Sequence, residues 1–433
     1  MTRRAFLAAA AASVSTWAQP PAKKPNIVFI LADDLGINGV SCYGADHLRT
    51  PNIDRLAAAG TRYTNAYTAP LCGPSRALIL TGRYAFRTGA TNQDATGLMK
   101  PEVETMTPKV LKQAGYVSAM VGKWGQLPLG PAEFGFDEYL KFTGSGTYWN
   151  TQDKGRKYLR NGETVKLADK EYLPDVMHRF LVDFITRHKD RPFFAYYSLS
   201  HVHAEILPTP DSAPDTKDYY PDNIRYMDKL VGQLVAELDR LKLRENTLIV
   251  FVGDNGTGGH YAASSTIGGR RISGEKGSML EGGANVPLIV NWPGKTPAGK
   301  VTADLIDSTD FHPTFAELAG APLPAKTVID GRTFAPQIQG KKGQPREWIF
   351  IQLARMWYVR DAKYKLDQDG QLFDMSKAPF EEIPLPATAA APARARLQAA
   401  LAKLNPAGGI LDTGDGTGRH AGRDANKKKK KER

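Results

Sequence analysis

The sequence predicts an α/β protein in which a large mixed, mostly parallel sheet is sandwiched by helices and followed by a small antiparallel unit. Three observations predict it. Short continuous apolar runs, such as Asn26 to Leu31, alternate with segments whose apolar residues recur at helical spacing, the pattern of a sheet covered on both faces. Polar residues stand just past several of those runs, where open α/β sheets favour ligands. From about residue 345 the alternation gives way to short runs separated by tight turns.

The N-terminus reads first as an address. Arg3-Arg4-Ala5-Phe6-Leu7 precedes an alanine-rich, weakly apolar run to Val14, then Thr16-Trp17-Ala18. This is the pattern of a twin-arginine signal over residues 1–18, so an exported bacterial protein, periplasmic or extracellular, is expected, with the twin-arginine export machinery as a partner. The run is too short and mild for a bilayer span, and no transmembrane segment is expected elsewhere.

After the Pro/Lys linker, Asn26 to Leu31 suits a buried parallel strand, with Asp33-Asp34 immediately behind it. Thr50-Pro51 opens a short helix with Ile53, Leu56 and Ala57 on one face, closed by Gly60. Thr107-Pro108 repeats that logic to Gly115 and feeds a strand from Tyr116 to Val121. Val176, Phe180, Leu181, Phe184 and Ile185 stripe a helix before the strand Phe193 to Ser198. Ile224, Met227, Val231, Leu234, Val235, Leu238 and Leu241 stripe another before the strand Thr247 to Val252. Pro287 to Trp292 gives a further strand and Asp310 to Leu318 a helix. Trp348 to Leu353, Trp357 to Arg360, Tyr364 to Leu366 and Gln371 to Asp374 read as short antiparallel strands, closed by a helix from Ala393 to Leu404. The expected domains are therefore 24–340 and 345–405, and 406–433 reads as a disordered basic tail.

The net charge of +12 suggests nucleic acid until its distribution is examined. Residues 1–18 carry +2 and residues 416–433 carry +6, which leaves +4 for the body of the chain. No nucleic-acid partner is expected from so even a balance. Two cysteines, Cys42 and Cys72, give no disulfide framework, although they could pair with each other in an oxidising compartment.

Cys72 to Arg83 carries the most chemistry. Pro74 and Ser75 suit the first turn of a helix, Ala77 to Leu80 propagate it, and Gly82 can end it in a left-handed cap. Cys72 then lies at a helix N-terminus, where free N–H groups favour an anion. Arg76, one turn on, offers a planar charged fork for an oxyanion. Asp33, Asp34, Asp254 and Asn255 form an all-oxygen set suited to a hard cation, and nothing has the spacing of a zinc site.

The stretch C-x-P-S-R-x-x-x-L-T-G-R resembles the signature of the type I, formylglycine-dependent sulfatases of the alkaline phosphatase superfamily. The resemblance extends in order from about Asn26 to Leu404 and includes Thr50 to Leu56, Gly135-Phe-Asp137 and the L-[YF]-D turn at Leu372. It implies an alkaline-phosphatase-like fold and a sulfuric ester hydrolase. It implies oxidation of Cys72 to formylglycine, by a formylglycine-generating enzyme as partner, and a hydrated aldehyde as nucleophile. Asp33, Asp34, Asp254, Asn255 and the modified Cys72 would be metal ligands, usually for Ca²⁺, with Mg²⁺ the second choice. Lys123, in Val-Gly-Lys-Trp, and Lys276, in Gly-Glu-Lys-Gly, would contact the sulfate together with Arg76. His203 is matched to the family's histidine that protonates the leaving alcohol. By pattern alone His201, two residues away, is an equal candidate.

One departure stands out. The family's Gly-Lys-Trp-His is here Gly122-Lys123-Trp124-Gly125-Gln126, so the histidine that hydrogen-bonds the formylglycine hydroxyl is absent. Gln126, His201 or another side chain would have to substitute. The expected function is hydrolysis of sulfate esters, of sulfated small molecules or glycans. Two alternatives stand beside it: a phosphate or phosphonate ester hydrolase of the same superfamily, and a non-catalytic sulfated-glycan-binding protein, which the missing histidine and basic tail suggest.

Overall fold

β1 (Asn26–Ala32) is buried along its whole length near the middle of a ten-stranded sheet. The structure, a computed structural model, describes residues 23–152 and 156–404. The expected export signal and basic tail lie outside the described residues. The sheet also contains β2 (Thr61–Tyr67), β3 (Val117–Lys123), β4 (Glu138–Phe142), β5 (Lys157–Arg160), β6 (Glu163–Lys166), β7 (Phe193–Leu199), β8 (Thr247–Gly253), β9 (Leu288–Asn291) and β10 (Lys300–Asp307), in the order β10-β2-β9-β8-β1-β7-β3-β4-β5-β6. The central β8-β1-β7-β3-β4 block is parallel, and β9 and β5 run against it.

The two-residue period of β1 divides the core. Val28, Ile30 and Ala32 join a cluster with Val176, Phe180, Phe184, Ile224, Met227 and Leu234. Ile27, Phe29 and Leu31 join another, with Ala77, Leu80, Leu111, Phe311 and Phe315. Each face is thus sealed by its own helices, among them Leu173–Arg187 and Tyr220–Arg240 on one side and Cys72–Thr81 and Phe311–Ala319 on the other. The predicted stripes are these inward faces, although Val235 and Leu241 are only partly buried.

The second sheet is antiparallel throughout: β11 (Ile349–Leu353), β12 (Met356–Arg360), β13 (Tyr364–Asp367), β14 (Leu372–Asp374) and β15 (Ile383–Pro384). Helix Ala391–Leu404 lays Leu397 and Ala400 on Val359, Leu366 and Leu372. Its last residue, Leu404, packs with Leu78, Tyr84, Phe86 and Phe350, which ties the small unit to the helix that begins at Cys72. A buried ionic joint adds to this seam, with Arg360 Nη1 2.7 Å from Glu281 Oε1 and also bonded to the Tyr67 hydroxyl. Among the described residues no helix is long and apolar enough to cross a membrane.

Candidate active site

The carboxyl ends of the parallel strands bring the predicted residues together. Asp33 and Asp34 follow β1, Asp254 and Asn255 follow β8, and Cys72 opens the helix after β2. β3 runs two residues further than its apolar run suggested, so Lys123 is its last residue rather than a loop residue. Backbone bonds zip the loops: Asp254 N–H donates to Ala32 O at 3.0 Å, Asp33 N–H to His201 O at 3.0 Å, and Val202 N–H to Asp33 O at 2.8 Å. Asp34 adopts a left-handed φ of 56° and donates its N–H to Asp254 Oδ1 at 3.0 Å. The helix Cys72–Thr81 ends as its sequence indicates, with Gly82 at φ 69° donating its N–H to Leu78 O.

Three carboxylates and three cations meet with almost no solvent. Lys123 Nζ lies 2.9 and 2.6 Å from the two oxygens of Asp33. Arg76 Nη2 is 2.8 Å from Asp254 Oδ2 and 3.7 Å from Asp33 Oδ1. Lys276 Nζ is 2.6 Å from Asp34 Oδ1 and 2.7 Å from Asp34 Oδ2. Burial raises the Asp33 carboxyl, but Lys123 and its neighbouring cations outweigh that and hold it below the usual carboxylate range. Asp254 goes the other way, pushed up to about 7 by burial and by the charge of Asp33, which Arg76 and Lys123 only partly offset.

The formal charges of these six groups cancel, so a divalent cation would leave the chamber at about +2, fit for an anionic ester. Two observations say that the residues fit such a cation. Ligand atoms of Asp33, Cys72 and Asp254 lie within 4.8 Å of one another. Asn255 donates Nδ2–H to Asp34 Oδ1 and to Gly256 O, both at 2.9 Å, while its Oδ1 is buried with no hydrogen-bond partner. Buried carbonyl oxygens are rarely left without a partner, and one standing beside carboxylates is a ligand that a hard cation takes.

The structure separates the two histidines. β7 ends at Leu199, so His201 and His203 do not share a strand face. His201 is fully buried, its Nε2 3.0 Å from the Tyr172 hydroxyl, and burial pushes it down to about 3. His203 is partly open, with Nε2 3.8 Å from Asp34 Oδ2, and burial lowers its pKa against the pull of Asp33. Only His203 faces the carboxylates.

Arg76 departs from expectation. Its fork is not free for a ligand: the side chain is wholly buried, with Nη1 donating to Lys123 O at 2.9 Å and to the Ser198 hydroxyl, and Nη2 to Asp254. Its place one helical turn after Cys72 drives it inward under the cluster, where only Nε lacks a partner. Ser198 and Gln93 were not anticipated. Gln93 reaches Cys72, with Nε2 3.3 Å from Sγ, and Gln126 bonds Gln93. Gln93 lies in a turn without periodicity and Ser198 is a small polar residue near the end of β7, so no pattern in the chain marks either as part of the site. Cys42 is half-buried, and burial and Asp54 push its thiol up to about 12.

The profile of the Sulfatase family matches residues 25–321 of this chain. The chain belongs to the sulfatase family. A second profile, described as N-sulphoglucosamine sulphohydrolase, C-terminal, matches residues 274–383 of the sulfatase. It is similar to N-acetylgalactosamine-6-sulfatase of Canis lupus familiaris, 33% identical over 391 residues that cover 84% of this chain and 74% of that protein. It is likewise similar to human arylsulfatase A, 33% identical over 401 residues, with 84% and 77% covered. Among solved structures, Ps i-CgsB in complex with k-i-k-neocarrahexaose superposes with a TM-score of 0.80 at 27% identity, covering 93% of this chain and 96% of that one. PsFucS1 sulfatase from Pseudoalteromonas sp. gives 0.70 at 27% identity, with 84% and 82% covered. The sulfatase is thus a sulfuric ester hydrolase with an alkaline-phosphatase-like fold, as its signature implied.

Proposed function

We propose that this sulfatase hydrolyses sulfate esters of carbohydrates, using a formylglycine made from Cys72 by a formylglycine-generating enzyme and a divalent cation, Ca²⁺ before Mg²⁺. The observation that carries the reading is the charge-balanced chamber at the N-terminus of the Cys72 helix, with the bare Asn255 Oδ1 inside it. Asp33, Asp34, Asp254, Asn255 and residue 72 would hold the cation. Carbohydrate is supported by relatives named for an amino-sugar sulfate and by the neocarrahexaose complex of Ps i-CgsB. The twin arginines Arg3-Arg4 support export to the periplasm or beyond.

When present, the formylglycine hydrate supplies the oxygen nucleophile and the cation supplies positive charge at the sulfuryl group. The chain's own residues do the rest. Lys123 and Lys276, fixed on Asp33 and Asp34, offset charge on the sulfuryl oxygens. Arg76 acts one step back, orienting Asp254 and favouring its ionised form. His203, whose Nε2 faces Asp34 at the mouth of the chamber, would deliver a proton to the departing alcohol.

The test is mass spectrometry of the peptide bearing residue 72, from protein produced with a formylglycine-generating activity. Release of sulfate from sulfated galactose and N-acetylgalactosamine oligosaccharides is measured in parallel, with and without chelator. An aldehyde or hydrate mass together with chelator-sensitive release is expected. An unmodified thiol, with the modifying enzyme active on a control peptide, sinks the reading.

A further inference from the structure

Gly125 is not merely a missing histidine. Its φ is +78°, a left-handed conformation that side chains rarely adopt, and a Cβ there would stand 3.0 Å from Arg76 Cδ. The backbone has therefore been shaped so that residue 125 holds nothing, and the next residue, Gln126, is partnered with Gln93.

Gln93 is seated by the nucleophile's own helix. Gly73 N–H donates to Gln93 Oε1 at 3.0 Å, and a Cβ at residue 73 would stand 2.9 Å from that oxygen and push the side chain aside. Because a backbone N–H can only donate, the amide oxygen must face Gly73, which leaves the amide nitrogen as the nearer of the two to Cys72 Sγ, at 3.3 Å against 3.6 Å for Oε1. Nε2 has two hydrogens and two acceptors: Cys72 Sγ at 3.3 Å and Gln126 Oε1. The loop beneath is stiffened by Asn92, whose Oδ1 accepts the N–H groups of Asp94 at 3.0 Å and Ala95 at 2.9 Å.

We infer that Gln93 is the group that orients the reacting oxygen of residue 72, and that Gln126 is its positioning residue. The inference rests on the formylglycine reading, in which Sγ stands in for an oxygen on the same Cβ carbon. Gln93 would give that oxygen one hydrogen bond from a neutral amide, fixing one of its lone pairs. An amide does not titrate in the working range, unlike the imidazole the family motif carries at this point.

The experiment uses the full chain, produced with the modifying activity, and 4-nitrophenyl sulfate. Residue-72 formylglycine content is measured by mass spectrometry for every variant, and kcat is expressed per formylglycine. Gln93→Ala and the space-filling Gln93→Met are both expected to lower kcat on the order of 10- to 100-fold, the worth of one hydrogen bond to a reacting atom, with KM within about threefold. Gln126→Ala should lower kcat less, and adding it to Gln93→Ala should cost nothing more. A merely packing role predicts instead that Gln93→Met keeps its kcat, and that result overturns the inference. Full formylglycine in the wild type with unchanged kcat in Gln93→Ala overturns it too, and leaves the formylglycine reading intact. Turnover by wild-type protein whose Cys72 is unmodified overturns the formylglycine reading itself.

Discussion

His312 packs against the cap at Gly82, with Nδ1 3.0 Å from the Thr107 hydroxyl and no exposure to solvent. Burial pushes its pKa from the ordinary 6.5 down to about 4. The folded state thus refuses a proton that the unfolded chain takes. The stability this reflects is complete above pH 6.5 and is lost as pH falls toward 4, by about 3 kcal/mol. His312→Gln is expected to flatten the slope of unfolding free energy across that window by up to one proton, measured by denaturant titration at several pH values. Gly125 offers a second test at this scale. Gly125→His should not install the family's histidine, because the left-handed backbone costs roughly 1–2 kcal/mol and the side chain meets Arg76. A lowered Tm with lower, not higher, kcat per formylglycine is expected. These residues also show what single positions disclose. Asp33, Asp34 and Asp254 were legible because each follows an apolar run, and position after a strand survives folding. Arg76 was legible as a cation but not as an enclosed one, since its partners Ser198 and Asp254 come from distant strands. Gln93 was not legible at all, because its role arises only when a loop without period meets the start of a helix.

At the scale of elements, apolar continuity decided what could be read. β1, β3, β7 and β8 are buried on both faces and appear as largely apolar runs. β2 mixes Arg62, Thr64 and Asn65 into its length, and edge strand β10 is half solvated, so neither stood out. The same limit hid the joint between the two sheets. Glu281, Arg360, Lys365 and Glu382 look like four surface charges in sequence, yet all are buried, and Glu382 pairs with Lys365 while accepting the Glu281 N–H at 3.0 Å. Removing one member leaves an unpaired buried charge, so Glu281→Ala is expected to cost about 3–5 kcal/mol. Replacing Glu281 and Arg360 together by apolar residues should recover part of that loss. Urea unfolding of the single and double variants reads the difference.

For the whole molecule, the small unit acts as a buttress for the helix that carries Cys72. A chain ending at Leu404 keeps every packed residue of helix Ala391–Leu404 and is the reference for a shorter one. Ending at Ala390 strips Leu397, Ala400 and Leu404 from their clusters. The apolar area lost is worth roughly 2 kcal/mol for each leucine. Because Leu404 packs against Leu78, kcat should fall along with Tm. Cation loading is also read at this scale. Ca²⁺ at about 100 times its Kd should stabilise the fold by about 2.7 kcal/mol, and Asn255→Ala should shrink the shift in Tm.

The cancelling charges around Asp33, Asp34 and Asp254 also set an order of events. Many small metal-binding domains stay unfolded until the ion arrives, because their ligands repel or have nothing else to hold. Here Lys123, Arg76 and Lys276 already neutralise Asp33, Asp254 and Asp34, so the chamber's closure does not depend on an ion. In the exported, cation-using enzyme proposed above, construction and loading would then be separate steps, free to occur at different times and on opposite sides of a membrane. Such a protein would travel finished and be armed on arrival.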